Sequence, residues 1–257
     1  MVDQGAAAKD NLTSLHDHEE SIRIESLAII ARRADLTDHL ALVQEAMNVI
    51  WAFTQEHVHN SDDELTFQLL GIRLFNAAAV SIKLALAGYY QKAFVHVRGI
   101  LETYFLVDYL RSNPAKVAVW KKADKRQRAR EFSPMKIRDE LDKRSGYVEG
   151  ARKAAYDLIS ENASHATYRG FHLTTQGGLG KIGPFIDELK LQAWLEEMAK
   201  RFGHAAIVLL SDFEGQDHKL DLTRGHYLNV MNEWGRKYYG PSFPKATSQA
   251  GTPEGEG

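Results

Sequence analysis

Arg98 and Glu102 are two charged residues set four positions apart inside one of the most apolar stretches of the chain, residues 65–111. A spacing of four places both side chains on the same face of a helix. Charged side chains are rarely buried unless they have a partner or a purpose. The pair therefore marks a candidate site for an anionic or hydrogen-bonding ligand.

The same stretch supplies neighbours for this pair if it folds as two antiparallel helices joined near Tyr89. In that register Glu102 faces Asn76 and lies within one turn of Arg73. With Arg98, these side chains would make one polar cluster. Two interpretations stay open: the cluster is either a hydrogen-bonded network that fixes the helix register or the floor of a ligand pocket.

A second group of polar residues falls where a later helix gives way to an irregular segment, in residues 156–171. Loops held by a rigid scaffold commonly carry function. The candidates are Ser164, His165 and Arg169. His165 suits a general acid or base and Arg169 suits a phosphate group, while a capping or hydrogen-bonded structural role is the alternative for His165.

The composition limits the chemistry that these residues can do. The chain has no cysteine, which excludes disulfides, thiolate metal sites and cysteine nucleophiles. Glu161 and His165 have a spacing that can present two metal ligands, but the several carboxylates and Glu-x-x-His pairs of a di-iron bundle are missing. We therefore expect no metal and no cofactor.

The balance of apolar and charged residues is that of a soluble protein, with 44% hydrophobic and 26% charged residues. Charged residues such as Arg73, Lys83 and Lys92 interrupt the apolar helices, so no uncharged run approaches the about 20 residues of a membrane span. The start of the chain lacks the apolar core of a signal peptide. We expect a cytoplasmic protein that does not contact a membrane.

Helical spacing of apolar residues runs through nearly the whole chain, and no alternating pattern is long enough to build a sheet. These patterns predict an all-α bundle of about eight helices around a central apolar antiparallel hairpin, 65–111. The bundle is expected to form a single domain over 19–240. The polar segments 1–18 and 241–257 are expected to be disordered.

A basic helical arm is predicted at 111–145. Between Arg111 and Arg144 the chain has twelve Lys or Arg against five Asp or Glu, whereas its overall formal charge is −2. The densest part, 121–130, has the charge to contact nucleic-acid phosphates. Because few aromatic residues accompany it, a solvated helix face or a subunit contact is the alternative.

The order of two helical segments resembles that in a group of known proteins. An apolar helix reading GYYQKAFVHVRGILETYFLVDYL is followed, after the basic insert, by a helix ending YDLISENASHATYRGF. The chain resembles a group of bacterial all-helical proteins with an Arg-x-x-x-Glu helix and a later Ser/His motif, and that group resembles the HEPN superfamily. The matching positions are Arg98, Glu102, Ser160, Ser164 and His165.

The HEPN resemblance covers roughly residues 65–170. It implies a helical bundle of the kind found in toxin and phage-defence systems as ribonucleases or nucleotide-binding modules. The nuclease signature of that superfamily is an Arg followed, after four to six residues, by a His. In this chain the signature is matched only at Arg32 or Arg33 with His39. The resemblance therefore implies a fold more than a reaction.

From the residues and the resemblance together we predict a non-catalytic binding or interaction module, a homodimer, with a role in bacterial stress or phage defence. The alternative is a HEPN-like metal-independent ribonuclease or nucleotide-binding toxin component, in which His165 and Arg169 are catalytic. The predicted ligand-binding residues of the module are Arg73, Asn76, Arg98, Glu102 and Ser164.

Overall fold

The computed structural model describes residues 10–146, 150–211, 217–241 and 243. Within these residues the chain forms ten α-helices, and the all-α prediction is confirmed. More than the predicted eight are present because the basic segment alone holds three short helices. The helices are α1 (Asn11–Arg32), α2 (Ala34–Trp51), α3 (Asp62–Leu86), α4 (Tyr90–Ser112), α5 (Ala115–Lys122), α6 (Lys125–Glu131), α7 (Pro134–Arg144), α8 (Ala151–Ile159), α9 (Glu188–Leu210) and α10 (His218–Tyr239).

Shorter elements extend or connect these helices. A π-helical turn, Ala52–Glu56, follows α2, and a second one, Ser160–Ser164, follows α8. A 3-10 turn comes next at Arg169–Thr174. It leads into a small antiparallel hairpin of two-residue strands, β1 (Thr175–Gln176) and β2 (Leu179–Gly180). The segment before α9 is thus folded back on itself with little regular structure.

The first helix begins earlier than the sequence pattern indicated. Asp10 caps α1 by accepting a hydrogen bond from the backbone N–H of Thr13 at 2.8 Å, and the helix starts at Asn11. The prediction of a disordered tail over 1–18 is therefore wrong for its second half, because an Asp cap satisfies the free N–H groups of the first turn. Residues 1–9 lie outside the described residues.

The predicted C-terminal tail falls almost wholly outside the described residues. Of 241–257, only Pro241 and Phe243 are described. The Phe243 ring packs against Tyr239 and Trp234, with ring centres 5.7 and 6.5 Å away. This part of the predicted tail therefore contacts α10.

The helix boundaries around the apolar stretch follow local rules. Ser61 caps α3 by accepting a hydrogen bond from the Glu64 N–H at 3.1 Å, as the capping-box pattern predicts. The chain leaves α3 through Gly88, whose φ of +84° suits glycine. A Cβ atom at Gly88 would lie 2.5 Å from the Phe185 carbonyl oxygen, so this turn requires glycine for space as well.

α3 and α4 run antiparallel and in contact. Near the turn, the Ser81 hydroxyl donates to the Ala93 carbonyl at 2.9 Å. Further away, Arg73 Nε donates to the Thr103 hydroxyl at 3.1 Å. α4 also packs on α9, α7 and α8, which makes it a helix with neighbours on several sides. Its apolar side chains belong to one hydrophobic core that reaches from α1 to α10.

α3 is long and apolar enough, by length and composition alone, to cross a membrane. A central helix of a soluble bundle has the same properties. In this fold α3 packs against α1, α2, α4 and α9. Of its most apolar window, 39% is buried, so these neighbours cover part of its apolar surface.

Candidate ligand-binding site

Tyr156, on α8, joins the Arg98–Glu102 pair of α4. Its hydroxyl donates to Glu102 Oε1 at 2.8 Å and accepts two hydrogen bonds from the Arg98 guanidinium, the one from Nε at 3.1 Å. Arg98 Nη2 also lies 3.1 Å from Glu102 Oε1. The two charged side chains are 26% and 28% exposed, so the pair stands at the edge of the core and remains in contact with solvent.

Arg73 and Asn76 do not join this pair. Both are exposed on α3, and Arg73 contacts α4 through Thr103 instead. The predicted four-residue cluster is therefore wrong, and the reason is the helix register. With Ser81 opposite Ala93, the residue of α4 that faces Arg73 is Thr103, and Glu102 points to the other side of α4 towards α8.

Arg138, from α7, lies against the ring of Tyr156. Its guanidinium carbon is 4.0 Å from the centre of the Tyr156 ring. The residue is only 6% exposed, and its Nε and Nη1 atoms are buried without a hydrogen-bond partner among the described residues. A buried cation held chiefly by an aromatic ring is an unusual arrangement.

A second ion pair completes this region. Arg152 Nη1 of α8 bonds to Asp142 Oδ1 of α7 at 2.8 Å, and both side chains are nearly buried. Close by on α4, burial raises the pKa of Tyr104 to about 12. We call the group the arginine–tyrosine cluster, and its members are Arg98, Glu102, Arg138, Asp142, Arg152 and Tyr156.

Next to the cluster lies a cavity of about 410 Å³. Its walls come from four parts of the chain: α4, the end of α8 with its π-helical turn, the 3-10 turn, and α9. Phe94 lies one turn before Arg98 on α4, and Ile159 lies about one turn after Tyr156 on α8. The cavity and the cluster are therefore neighbours along the groove between these two helices. We call it the apolar cavity.

The lining of the apolar cavity is mainly hydrophobic. Phe94, Leu173 and Ala193 contribute apolar surface, while Leu158 and Leu189 are 56% and 76% exposed. Exposed leucines beside a concave apolar surface are typical of a binding site that stays open to solvent.

Two charged residues of α9 border the same space. Lys190 Nζ is held by Asp187 Oδ2 at 2.5 Å, and Glu197 Oε2 is held by Arg201 Nε at 3.0 Å. Both cavity residues therefore keep their positions through partners outside the cavity. The π-helical turn Ser160–Ser164 forms part of the opposite wall, and π turns inside helices occur frequently at functional sites.

The predicted loop residues occupy three different environments. The Ser164 hydroxyl is buried without a hydrogen-bond partner among the described residues. His165 is exposed where the π-helical turn ends, and its backbone N–H bonds to the Ser160 carbonyl at 3.0 Å. Arg169 is exposed and pairs with Glu161 at 3.3 Å. Among the described residues no hydrogen bond joins His165 to Glu102, whose Oε1 accepts from Tyr156.

The residues that match the nuclease signature are structural in this fold. His39 is buried, and its Nδ1 accepts a hydrogen bond from Trp234 Nε1 at 2.8 Å. Arg33 lies at the α1–α2 junction and pairs with Asp35 and Glu188. The His39 nitrogen that could take a proton therefore already bonds to a buried indole.

A second buried polar network lies far along the bundle from the cluster. His57 Nε2 is 2.6 Å from Glu64 Oε1, and His57 Nδ1 is 3.2 Å from Asp217 Oδ2. The remaining Glu64 oxygen accepts from the Asn60 N–H at 2.6 Å. We call this the His57 network. Within the described part of the chain, no three His, Asp or Glu side chains are arranged to hold a metal.

The basic segment is partly built into the bundle. Ile137 and Leu141 of α7 are buried against the core, and Lys121 of α5 pairs with Asp62 at the start of α3. The exposed cations lie mostly on the outer side of α5 and α6, within the predicted 121–130.

The sequence pattern paired Arg98 with Glu102, but it did not show that Tyr156 joins them or that Arg138 lies beside Tyr156. A signal was present. Ile137 and Leu141 have the spacing of a buried helix face, and Arg138 belongs to that same face. A lone arginine in a buried stripe is the pattern that points to a special environment.

In comparisons with known proteins, the chain matches no family model, no curated protein and no solved structure. The HEPN resemblance therefore stays a prediction. Only the site itself, and no relative, indicates what the protein does.

Proposed function

We propose that the protein is a non-catalytic binding module whose ligand is a small, largely apolar molecule held in the apolar cavity. The observation that carries the proposal is the cavity of about 410 Å³ at the junction of four elements. Pockets for small ligands usually measure roughly 300 to 1,000 Å³ and combine an apolar lining with a few fixed polar groups. This cavity has both properties.

The fixed charges suggest how such a ligand is oriented. Glu197, held by Arg201, presents an acceptor on the α9 wall, and Asn162 presents an amide on the opposite wall. A ligand with an apolar body and one hydroxyl or amide group would bury its body against Phe94 and Leu173. Its polar group would then bond to one of the two walls.

A neutral fluorescent probe, N-phenyl-1-naphthylamine, tests the proposal. We expect saturable binding with enhanced fluorescence in the wild-type protein. Ala193→Phe places a ring inside the cavity and should weaken binding at least tenfold, because the space is then occupied. Ala129→Phe adds the same ring at an exposed position of α6, away from the cavity, and should leave the affinity unchanged.

Circular dichroism of both variants checks that they remain folded. Equal affinity of the Ala193→Phe variant and the wild-type protein would contradict the proposal, since the probe would then bind elsewhere. Absence of binding by the wild-type protein to this probe and to a panel of neutral apolar compounds would contradict it as well.

The remaining predictions from the sequence need tests of their own. Ribonuclease activity that is lost in His165→Ala would establish the catalytic alternative. Light scattering gives the molar mass in solution and so tests the predicted homodimer. Binding of RNA or DNA with a strong salt dependence that decreases when charges in 121–130 are removed would establish a nucleic-acid contact.

A further inference from the structure

The charges of the arginine–tyrosine cluster form pairs with one cation left over. Arg98 pairs with Glu102, and Arg152 pairs with Asp142. No carboxylate among the described residues forms an ion pair with Arg138, whose Nε and Nη1 atoms have no hydrogen-bond partner there either. The cluster therefore carries one uncompensated positive charge.

The burial of Arg138 makes that charge costly. The residue is 6% exposed, and its two unpartnered nitrogens have almost no contact with solvent, so water does not replace the missing acceptors. The Tyr156 ring, 4.0 Å from the guanidinium carbon, offsets only part of the cost of removing the charge from water. A guanidinium in this position is ready to bind an anion, because an anion would supply both the countercharge and the acceptors.

We propose that Arg138 is the anchor of a binding site for an oxyanion, namely the phosphate or carboxylate group of a small ligand. The inference goes beyond the apolar cavity, since it rests on a different helix, α7, and on charge rather than on apolar surface. Arg98 supplies a second cation at the same ring, with its guanidinium carbon 4.9 Å from the ring centre of Tyr156.

For an anion to reach Arg138, the Tyr156 ring that packs on its guanidinium has to move. This ring covers Arg138, while the Tyr156 hydroxyl is held by the partly exposed Arg98 and Glu102. An oxyanion that approaches from solvent meets Arg98 first and reaches Arg138 when the Tyr156 ring turns aside. The hydrogen bonds that Tyr156 then loses are made by groups that water can solvate, which keeps this movement inexpensive.

Thermal unfolding in three buffers of equal ionic strength tests the proposal, with sodium chloride, inorganic phosphate or acetate as the salt. For the wild-type protein we expect a saturable rise of the melting temperature in phosphate, in acetate, or in both. The arm that responds identifies the chemical class. Arg138→Met should weaken the apparent affinity for the anion at least tenfold.

Lys136→Met is the matched control. Lys136 is an exposed cation on the same helix, so its removal changes the charge of α7 by the same amount without touching the cluster. We expect this variant to keep the anion response. In chloride, Arg138→Met should melt no lower than the wild-type protein, because the substitution removes an unpaired buried charge and keeps an unbranched side chain of similar length.

Three results would overturn the inference: no response of the wild-type protein to either anion, an unchanged response in Arg138→Met, or an equal loss in Lys136→Met. If Arg138→Met does not fold, Arg138→Gln, which is neutral and can hydrogen-bond, takes its place with the same expected loss of response. Binding of N-phenyl-1-naphthylamine should be unaffected by Arg138→Met, so a failure of the anion site is distinguishable from a failure of the apolar cavity.

Discussion

The His57 network and the arginine–tyrosine cluster contain similar residue types but differ in completeness. Both carboxylate oxygens of Glu64 and both ring nitrogens of His57 have partners. In the cluster, Arg138 is buried to a similar degree and has two nitrogens without partners in the described part of the chain. The hydrogen-bonding groups of the His57 network are thus paired within the chain. In the cluster, the proposed oxyanion would supply the acceptors that Arg138 lacks.

The difference separates a structural role from a binding role. The His57 network connects the turn after α2 with the first residues of α3 and α10, so its hydrogen bonds determine how three chain segments meet. Asp217 also caps α10 by accepting from the Leu220 N–H, and this hydrogen bond, followed by the one with His57, lowers the pKa of Asp217. A network in which each member has a partner stabilises one arrangement of the core.

The largest effect that the comparison predicts is that of Glu64→Ala. His57 and Glu64 are 3% and 5% exposed, so removal of the carboxylate takes one acceptor from the buried His57 Nε2 and one from the Asn60 N–H. We expect a loss of about 3 to 5 kcal/mol in the free energy of unfolding, measured with urea. Glu64→Gln keeps an acceptor and should lose less. A loss below about 1 kcal/mol for Glu64→Ala would show that the network is not structural.

A smaller effect is expected for Arg152→Met, inside the cluster. This substitution leaves the nearly buried Asp142 carboxylate without its guanidinium partner. We expect a loss of about 2 to 3 kcal/mol in the free energy of unfolding, against no loss for Arg138→Met. The comparison of these two variants is the sharpest test of the charge balance, because each variant removes one arginine from the same cluster. Equal losses for both variants would contradict the assignment of Arg138 as the unpaired cation.

The smallest effect concerns a buried histidine that, unlike His57, has no carboxylate hydrogen-bonded to its ring. Burial lowers the pKa of His39, even though Glu196, Asp35 and Asp38 oppose the shift. In the unfolded chain His39 therefore binds a proton near pH 6.5, whereas in the folded protein it binds one only at a lower pH. The contribution of His39 to stability is complete above about pH 6.5 and is lost as the pH falls from there to the folded pKa.

Urea unfolding between pH 7.5 and 5.5 measures this dependence. His39→Gln keeps an acceptor for Trp234 Nε1 and should make the decrease of stability at lower pH less steep. Some decrease should remain, because burial also lowers the pKa of His204. An identical pH dependence in the variant and the wild-type protein would show that His39 does not contribute.

Predictions that depend only on residues close together in the sequence were confirmed. The Ser61-x-x-Glu64 and Ser133-Pro134 patterns each predict a helix start, and α3 and α7 begin directly after Ser61 and Ser133. Predictions that required two helices to meet were less accurate. The expected contact of Glu102 with α3 was wrong, although Arg98 and Glu102 do share one face of α4.

The amino-acid sequence by itself determined the helical class, the starts of α3 and α7 and the pairing of Arg98 with Glu102. These features depend on groups within a few residues of each other, since periodicity and capping act locally. Only the tertiary structure decided that α8 brings Tyr156 to this pair and that Arg138 of α7 has no ion-pair partner among the described residues. Such contacts depend on the register and orientation of helices far apart in the chain, and a shift of one residue moves a side chain by about 100° around its helix.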